Sequence, residues 1–183
     1  VMPRSIDHIE VVEEASKVGM RAILYKDHYY SASPITELLN KHFKSLNVEL
    51  LSGVPLNNTV GGFNRYAVDH GINLGAKLVW MPTFSAENHI KAHQEDTDFD
   101  KKFPTTKEAM LAPTPLKVVN QNGDLIDEVK FILDLIAEND IVLSSGHLHI
   151  SEIWVLFEEA IKRGVKRLLL SLIHISEPTR PID

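Results

Sequence analysis

The chain has no cysteine among its 183 residues. That excludes a disulfide framework, a thiolate metal site and a cysteine nucleophile, so any metal must be held by nitrogen and oxygen ligands. Basic residues are in deficit, 19 against 25 acidic ones, for a net charge of −6. This balance argues against a nucleic-acid partner, which would need a basic face to displace counterions from phosphates. No apolar run approaches the roughly 20 residues that cross a bilayer, and no charged-then-apolar leader opens the chain. A cytoplasmic protein without a membrane partner is expected. What is present is a globular composition, 44% hydrophobic and 24% charged, and nine histidines that keep nitrogen-ligated metal chemistry open.

One phrase recurs along the chain: a helix end, a glycine, then a short apolar run. Glu13–Arg21 leads through Gly19 into Ala22–Tyr25, and Glu158–Arg167 leads through Gly164 into Leu168–Leu169, and the two copies align without a gap. A looser copy runs Val68–Lys77 through Gly75 into Leu78–Met81. Glycine suits the left-handed residue that stops a helix. Apolar residues fall at helical spacing before it, as in Ile153, Leu156, Phe157, Ala160 and Ile161, whereas the runs after it are apolar on both faces, as in a covered parallel sheet.

The pattern predicts helices near residues 6–18, 33–45, 63–73, 124–138 and 151–163, with Ser33 and Ser151 as N-caps. Strands are predicted near 21–26, 48–56, 77–81 and 140–145, and from 167 onward. A polar excursion near 84–123, carrying His89 and His93, is expected to be a long loop or subdomain. The fold class is therefore α/β, either an open doubly wound sheet or an incomplete (β/α) barrel, and periodicity does not choose between them.

In both architectures ligands bind at the C-terminal ends of the strands, and polar residues follow every apolar run. The ends read Lys26-Asp27-His28, Asn57-Asn58, Pro82-Thr83 and Ser144-Ser145-Gly146-His147-Leu148-His149. His28 and His147 are candidate metal ligands from different strands, with exposed loop histidines as the plain alternative. Lys26 ends an apolar run, where burial would make it a Schiff-base nucleophile, a carbamylation site or an anion contact, unless it only snorkels to the rim. Glu152 suits general-base work or ligation, and equally a simple role in the first turn of a helix. Gly61-Gly62 ahead of Asn64 could bring backbone N–H groups to an anion.

Taken in order, Val18–His28, Asn57–Asn64, Gly75–Thr83 and Gly146-His147 with Glu152 resemble an uncharacterised bacterial family of amidohydrolase-like barrel proteins, over roughly residues 2–169. The resemblance implies an incomplete TIM-type barrel whose visible part is about five parallel strands, with the first and last strands missing. It also implies a metal-dependent hydrolase in which activated water attacks an amide, ester or phosphoester of a small-molecule substrate. Its opening strand would carry an Asp-x-His-x-His motif upstream of Met2-Pro3-Arg4. Carried over by motif, Lys26 and Glu152 are catalytic, Asn64 and Thr83 bind substrate, and His28 and His147 bind a divalent metal, zinc first, with manganese or iron as alternatives; Asn57, at the end of the second strand, is a further substrate-binding candidate. A homo-oligomer is open. The alternatives are a Schiff-base lyase or aldolase using Lys26, and a non-catalytic binding barrel. Leu170–Arg180 resembles a translated library-preparation adapter, so residues 170–183 are set apart from a 1–169 domain.

Overall fold

A computed structural model describes residues 6–93 and 111–171. The elements in chain order are α1 (His8–Lys17), β1 (Ala22–Tyr25), α2 (Ser33–His42), β2 (Glu49–Pro55), α3 (Arg65–Asn73), β3 (Leu78–Trp80) and α4 (Glu87–His93). They continue with α5 (Asp127–Glu138), β4 (Val142–Ser144), α6 (Ile150–Lys162) and β5 (Arg167–Leu169). Short 3-10 turns at Lys44–Leu46 and Asn58–Val60 follow α2 and β2.

The recurring phrase is a Schellman stop in all three copies. The amides of Met20, Ala76 and Val165 reach back to the carbonyls of Ala15, Gly71 and Ala160, and those of Gly19, Gly75 and Gly164 to Ser16, Ile72 and Ile161. The glycines take φ of 74°, 92° and 90°, which a Cβ would disfavour. Each stop turns the chain directly into the next strand.

The five strands form one sheet in the order β1-β2-β3-β4-β5, with every pair parallel. Register aligns Val54, Val79 and Leu143 across three strands. These side chains share a buried core with Val68 of α3, Ile132 and Ile136 of α5, and Leu156 of α6. A second cluster joins Tyr25 and Leu50 to Val12 of α1 and Leu39 of α2. Tyr25 pairs with Ser52 of the same face, so these helices all cover one side of the sheet. A doubly wound sheet would reverse its strand order and cover both sides. Sequential order with one-sided helices is the wall of an incomplete (β/α) barrel.

The opposite face carries Leu24, Leu51, Gly53, Leu78 and Trp80. Gly53 is there for space, because a Cβ would stand 2.5 Å from the Trp80 ring and 2.6 Å from the Leu78 carbonyl oxygen. On this concave side the edge-strand residues Leu24 and Leu169 are 38% and 41% exposed, whereas Leu78 and Trp80 of the central β3 are buried. Within the described residues β1 and β5 are the two edges and the sheet does not close.

Two expected caps are corrected. Ser33 is the first residue of α2 rather than its cap, which is Ala32, because its hydroxyl turns inward to Ser52 at 2.9 Å. The cap of α6 is His149, whose Nδ1 accepts the Ser151 amide, and not Ser151 itself. The excursion after β3 also holds more structure than a loop. It opens with α4, and on its return Leu116 is strapped to the β3 end by amide-to-carbonyl bonds from Leu116 to Ser85 (2.7 Å) and from Glu87 to Leu116 (3.0 Å). Residues 172–183, most of the segment set apart above, lie outside the described residues, as do residues 94–110 of the excursion. Among the described residues no helix is long and apolar enough to cross a membrane.

Candidate functional site

All four polar strand ends lie along one edge of the sheet, because the strands are parallel and nearly in register. Asn57, just past β2 and only 2% exposed, ties three of them together. Its Oδ1 accepts the amides of Thr83 (2.8 Å) and Ser85 (3.2 Å). Its Nδ2 donates to the His28 carbonyl (2.8 Å) and to Thr83 Oγ1 (2.7 Å). A buried amide with every hydrogen bond made holds the β1, β2 and β3 ends at fixed spacing. The neighbouring Asn58 carries a buried Oδ1 with no hydrogen-bond partner among the described residues.

Gly146 positions the fourth end. With φ at 60°, it passes so close to β3 that a Cβ would overlap the carbonyl oxygens of Met81 and Pro82. The next amide, of His147, donates to Pro82 at 2.9 Å, which delivers the His147 ring to the rim. There its Nδ1 lies 2.9 Å from Nδ1 of His89, a residue of α4. The ring of His93, one turn further on, lies 4.4 Å from that of His89 with the planes tilted by 52°.

Phe84 is the hub of this cluster. His28 stacks on it at 4.2 Å, while His89 and His147 approach at 5.3 and 6.3 Å. The His28 and His147 rings are themselves 6.4 Å apart. Lys26 sits on the concave side with its Nζ 5.2 Å from the Trp80 ring centroid.

Burial sets the charge state of the cluster. His147 is pulled down to about 2, first by burial and then by the charges of His89, Lys26, His28 and His93. His89 falls to about 4 for the same leading reason, with His93 and His28 adding to it. Both imidazoles are therefore neutral near pH 7, the form that binds a cation. Burial also lowers the Lys26 ammonium.

Donor chemistry thus fits a divalent metal, with neutral imidazole nitrogens and no thiolate. The count falls short. A catalytic zinc takes three protein ligands, and among the described residues no three His, Asp or Glu side chains are placed to hold one ion. The His147–His89 pair is a partial donor set.

Two of the motif-derived residues are held by local structure. Glu152, 4% exposed, has one carboxylate oxygen on the Val118 amide (3.1 Å) and the other on the His149 amide (3.3 Å). It closes the capping box of α6 and pins the returning strap. Asn64 caps α3 through Oδ1 with the amides of Tyr66 and Ala67, and its Nδ2 donates to the Val60 carbonyl. Lys26, His28, Asn57, Thr83 and His147 are brought together at the rim.

A model of one protein family matches residues 1–179. The chain belongs to the DUF6282 family, a family of unknown function. No curated protein and no solved structure gives a match. For this DUF6282 chain the rim is accordingly read from its own residues, two of which, His89 and Phe84, sequence reasoning left inside the excursion. The available signal was the His89-x-x-x-His93 spacing, which puts two imidazoles on one helical face immediately after a strand end.

Proposed function

We propose that the chain belongs to a metal-dependent hydrolase acting on an amide, ester or phosphoester of a small molecule at this rim. The observation that carries the reading is the His147–His89 pair, two neutral imidazoles with Nδ1 atoms 2.9 Å apart where parallel strands end. Zinc is the first candidate, with manganese or iron as alternatives, held by His147 and His89 and completed by water and substrate. When bound, such a cation supplies Lewis acidity and lowers the pKa of its water.

The chain's own residues have separate tasks in this reading. Lys26, partly desolvated against Trp80, attracts an anionic group of the substrate. Phe84 excludes water from the imidazole rings that pack around it. Asn57 and Thr83 hold the walls at a fixed separation, so that little order is lost when substrate binds.

Elemental analysis after stripping with chelator and reloading with zinc, manganese or iron tests the reading. The expected result is retained metal in the native chain and loss in His147→Ala and His89→Ala. Absence of metal from the reloaded native chain refutes it. The lowered Lys26 pKa favours a second reading, a Schiff-base lyase or aldolase, for which borohydride would trap a carbonyl substrate on Lys26 without any metal.

A further inference from the structure

The outer side of β5 has a defined polar pattern. The Ser145 amide donates to the Leu169 carbonyl at 2.9 Å, so Leu169 turns its backbone groups toward β4. Alternation along the strand then turns the amide and carbonyl of Leu168 to the outer edge. Among the described residues no strand pairs with that edge, which makes it a template for another strand. The helix beside it is apolar on the same flank. In α6, Ile153, Leu156 and Ala160 are buried toward the sheet, while Glu159 and Arg163 lie on the α5 side, where Arg163 bonds Asp134. At about 100° per residue the opposite flank carries Ile150, Trp154, Phe157 and Ile161. Trp154 is 72% and Ile161 63% exposed, and the bordering charges of Glu158 and Lys162 are already paired with each other at 3.0 Å.

One operation satisfies both features. From Val165 the chain climbs about 10 Å to Leu168, and α6 covers about the same height from Gly164 back to Phe157. Leu168 and Phe157 therefore lie at one level, and both pack against the main core. A two-fold axis at that level joins Leu168 to its mate by two amide-to-carbonyl bonds, as in a hydrogen-bonded antiparallel pair. With each α6 lying over its β4–β5 pair, the two helices come two strand spacings apart, about 9–10 Å, which is a helix-packing distance. They run antiparallel, with Phe157 beside its mate and Trp154 against Ile161 of the other copy. We propose that the chain forms a two-fold dimer through this flank, β5 pairing with β5 and α6 packing on α6. A second copy is the occupant because the surface is complementary to itself about that one axis. No like charges meet, since Lys166 and Arg167 come opposite Leu170 and Leu169 of the other copy. Trp154 brings roughly 150–250 Å² per copy. With Ile161, Leu169, Leu170 and the strand backbone, the two copies cover on the order of 1,000 Å², enough for a specific interface. The dimer is independent of the hydrolase reading.

Sedimentation equilibrium of the full chain reads the assembly, and a dimer is expected. Trp154→Glu, at an exposed position, is expected to raise the dissociation constant about tenfold or more, with the circular dichroism of the native fold. Because the chain has no cysteine, a single introduced one reports its own neighbour. Phe157→Cys is expected to form a disulfide between copies under mild oxidation, and Leu38→Cys, exposed on α2, is not. Should Phe157→Cys fail to fold, Trp154→Cys combined with Ile161→Cys repeats the test at two exposed positions. Amide hydrogen exchange at Leu168 is expected to be slow in the dimer and fast in Trp154→Glu. A monomer at every concentration overturns the proposal, whether Trp154 is open to iodide quenching or shielded by another segment of the chain. A dimer that survives Trp154→Glu and gives no disulfide uses another face, and species that grow beyond two copies use a head-to-tail contact of β5 with β1. Either result overturns the proposal, as does fast exchange of the Leu168 amide in the native dimer.

Discussion

Replacing Gly146 by alanine is expected to separate two costs that usually arrive together. The first is conformational: a side chain at φ 60° costs roughly 1–2 kcal/mol. The second is collision, because the new Cβ would overlap two carbonyl oxygens and stand 2.7 Å from the Met81 carbonyl carbon. Those atoms cannot withdraw freely, since the Met81 amide is bonded to Ser144 and the Pro82 carbonyl to the His147 amide, each at 2.9 Å. Forcing such an overlap costs about 1–3 kcal/mol, so the total is roughly 2–5 kcal/mol. Gly164→Ala is the control. Its φ is 90° but nothing lies within 4 Å of its would-be Cβ, so only the conformational cost applies. Urea unfolding of both variants measures the difference, expected at about 1–3 kcal/mol with unchanged m-values. Equal losses in the two variants would refute the claim that close approach at Gly146 sets the β3–β4 edge and the placement of His147.

Asn57→Ala leaves the buried Thr83 and Ser85 amides and the His28 carbonyl without their partner. A loss of about 2–4 kcal/mol in denaturant unfolding is expected, and a loss under about 1 kcal/mol would contradict the strut assigned to it. Zinc at about 100 times its dissociation constant should stabilise the native chain by roughly 2.7 kcal/mol in thermal unfolding, and His147→Ala should abolish that gain. Arg163 bonds both Asp134 oxygens at 2.8 and 2.9 Å and Glu159 at 2.8 Å on the helical surface. The carboxylates are partly exposed, so Arg163→Ala should cost no more than about 1 kcal/mol by the same assay.

The alternation of helix and strand was legible because a glycine marks three of the helix stops and apolar spacing changes on either side of it. A fourth stop of the same kind was not legible. Asp140 takes φ 50° after α5, with the Ile141 amide on Ile136 and its own on Ala137, and no glycine announces it. Arg167 holds it there by bonding both its carbonyl and its carboxylate at 2.8 Å, a long-range contact that local sequence does not display. Choosing the barrel over the open sheet needed strand order, which periodicity does not encode. At the site, His28 and His147 were visible as residues following strand ends. His89 reaches His147 across 58 positions in the chain, through a helix embedded in a polar stretch, and only the tertiary fold brings the pair together.

Sequential strand order also bears on how the sheet assembles. Each strand pairs with the next one made, so the sheet can grow in the direction of synthesis without waiting for distant chain. The steps are not equal. Partners Ala22 and Glu49 lie 27 residues apart, Gly53 and Leu78 lie 25 apart, and Val142 and Arg167 also 25. Leu78 and Val142 lie 64 apart, because the excursion that brings His89 to the rim intervenes. Closing the longer loop costs roughly 0.8 kcal/mol more in chain entropy, about a fourfold handicap for that one step. The segment that completes the imidazole cluster therefore also divides the nascent sheet into an early β1–β3 unit and a late β4–β5 unit, and their joining is the step at which an unpaired β3 edge is exposed longest.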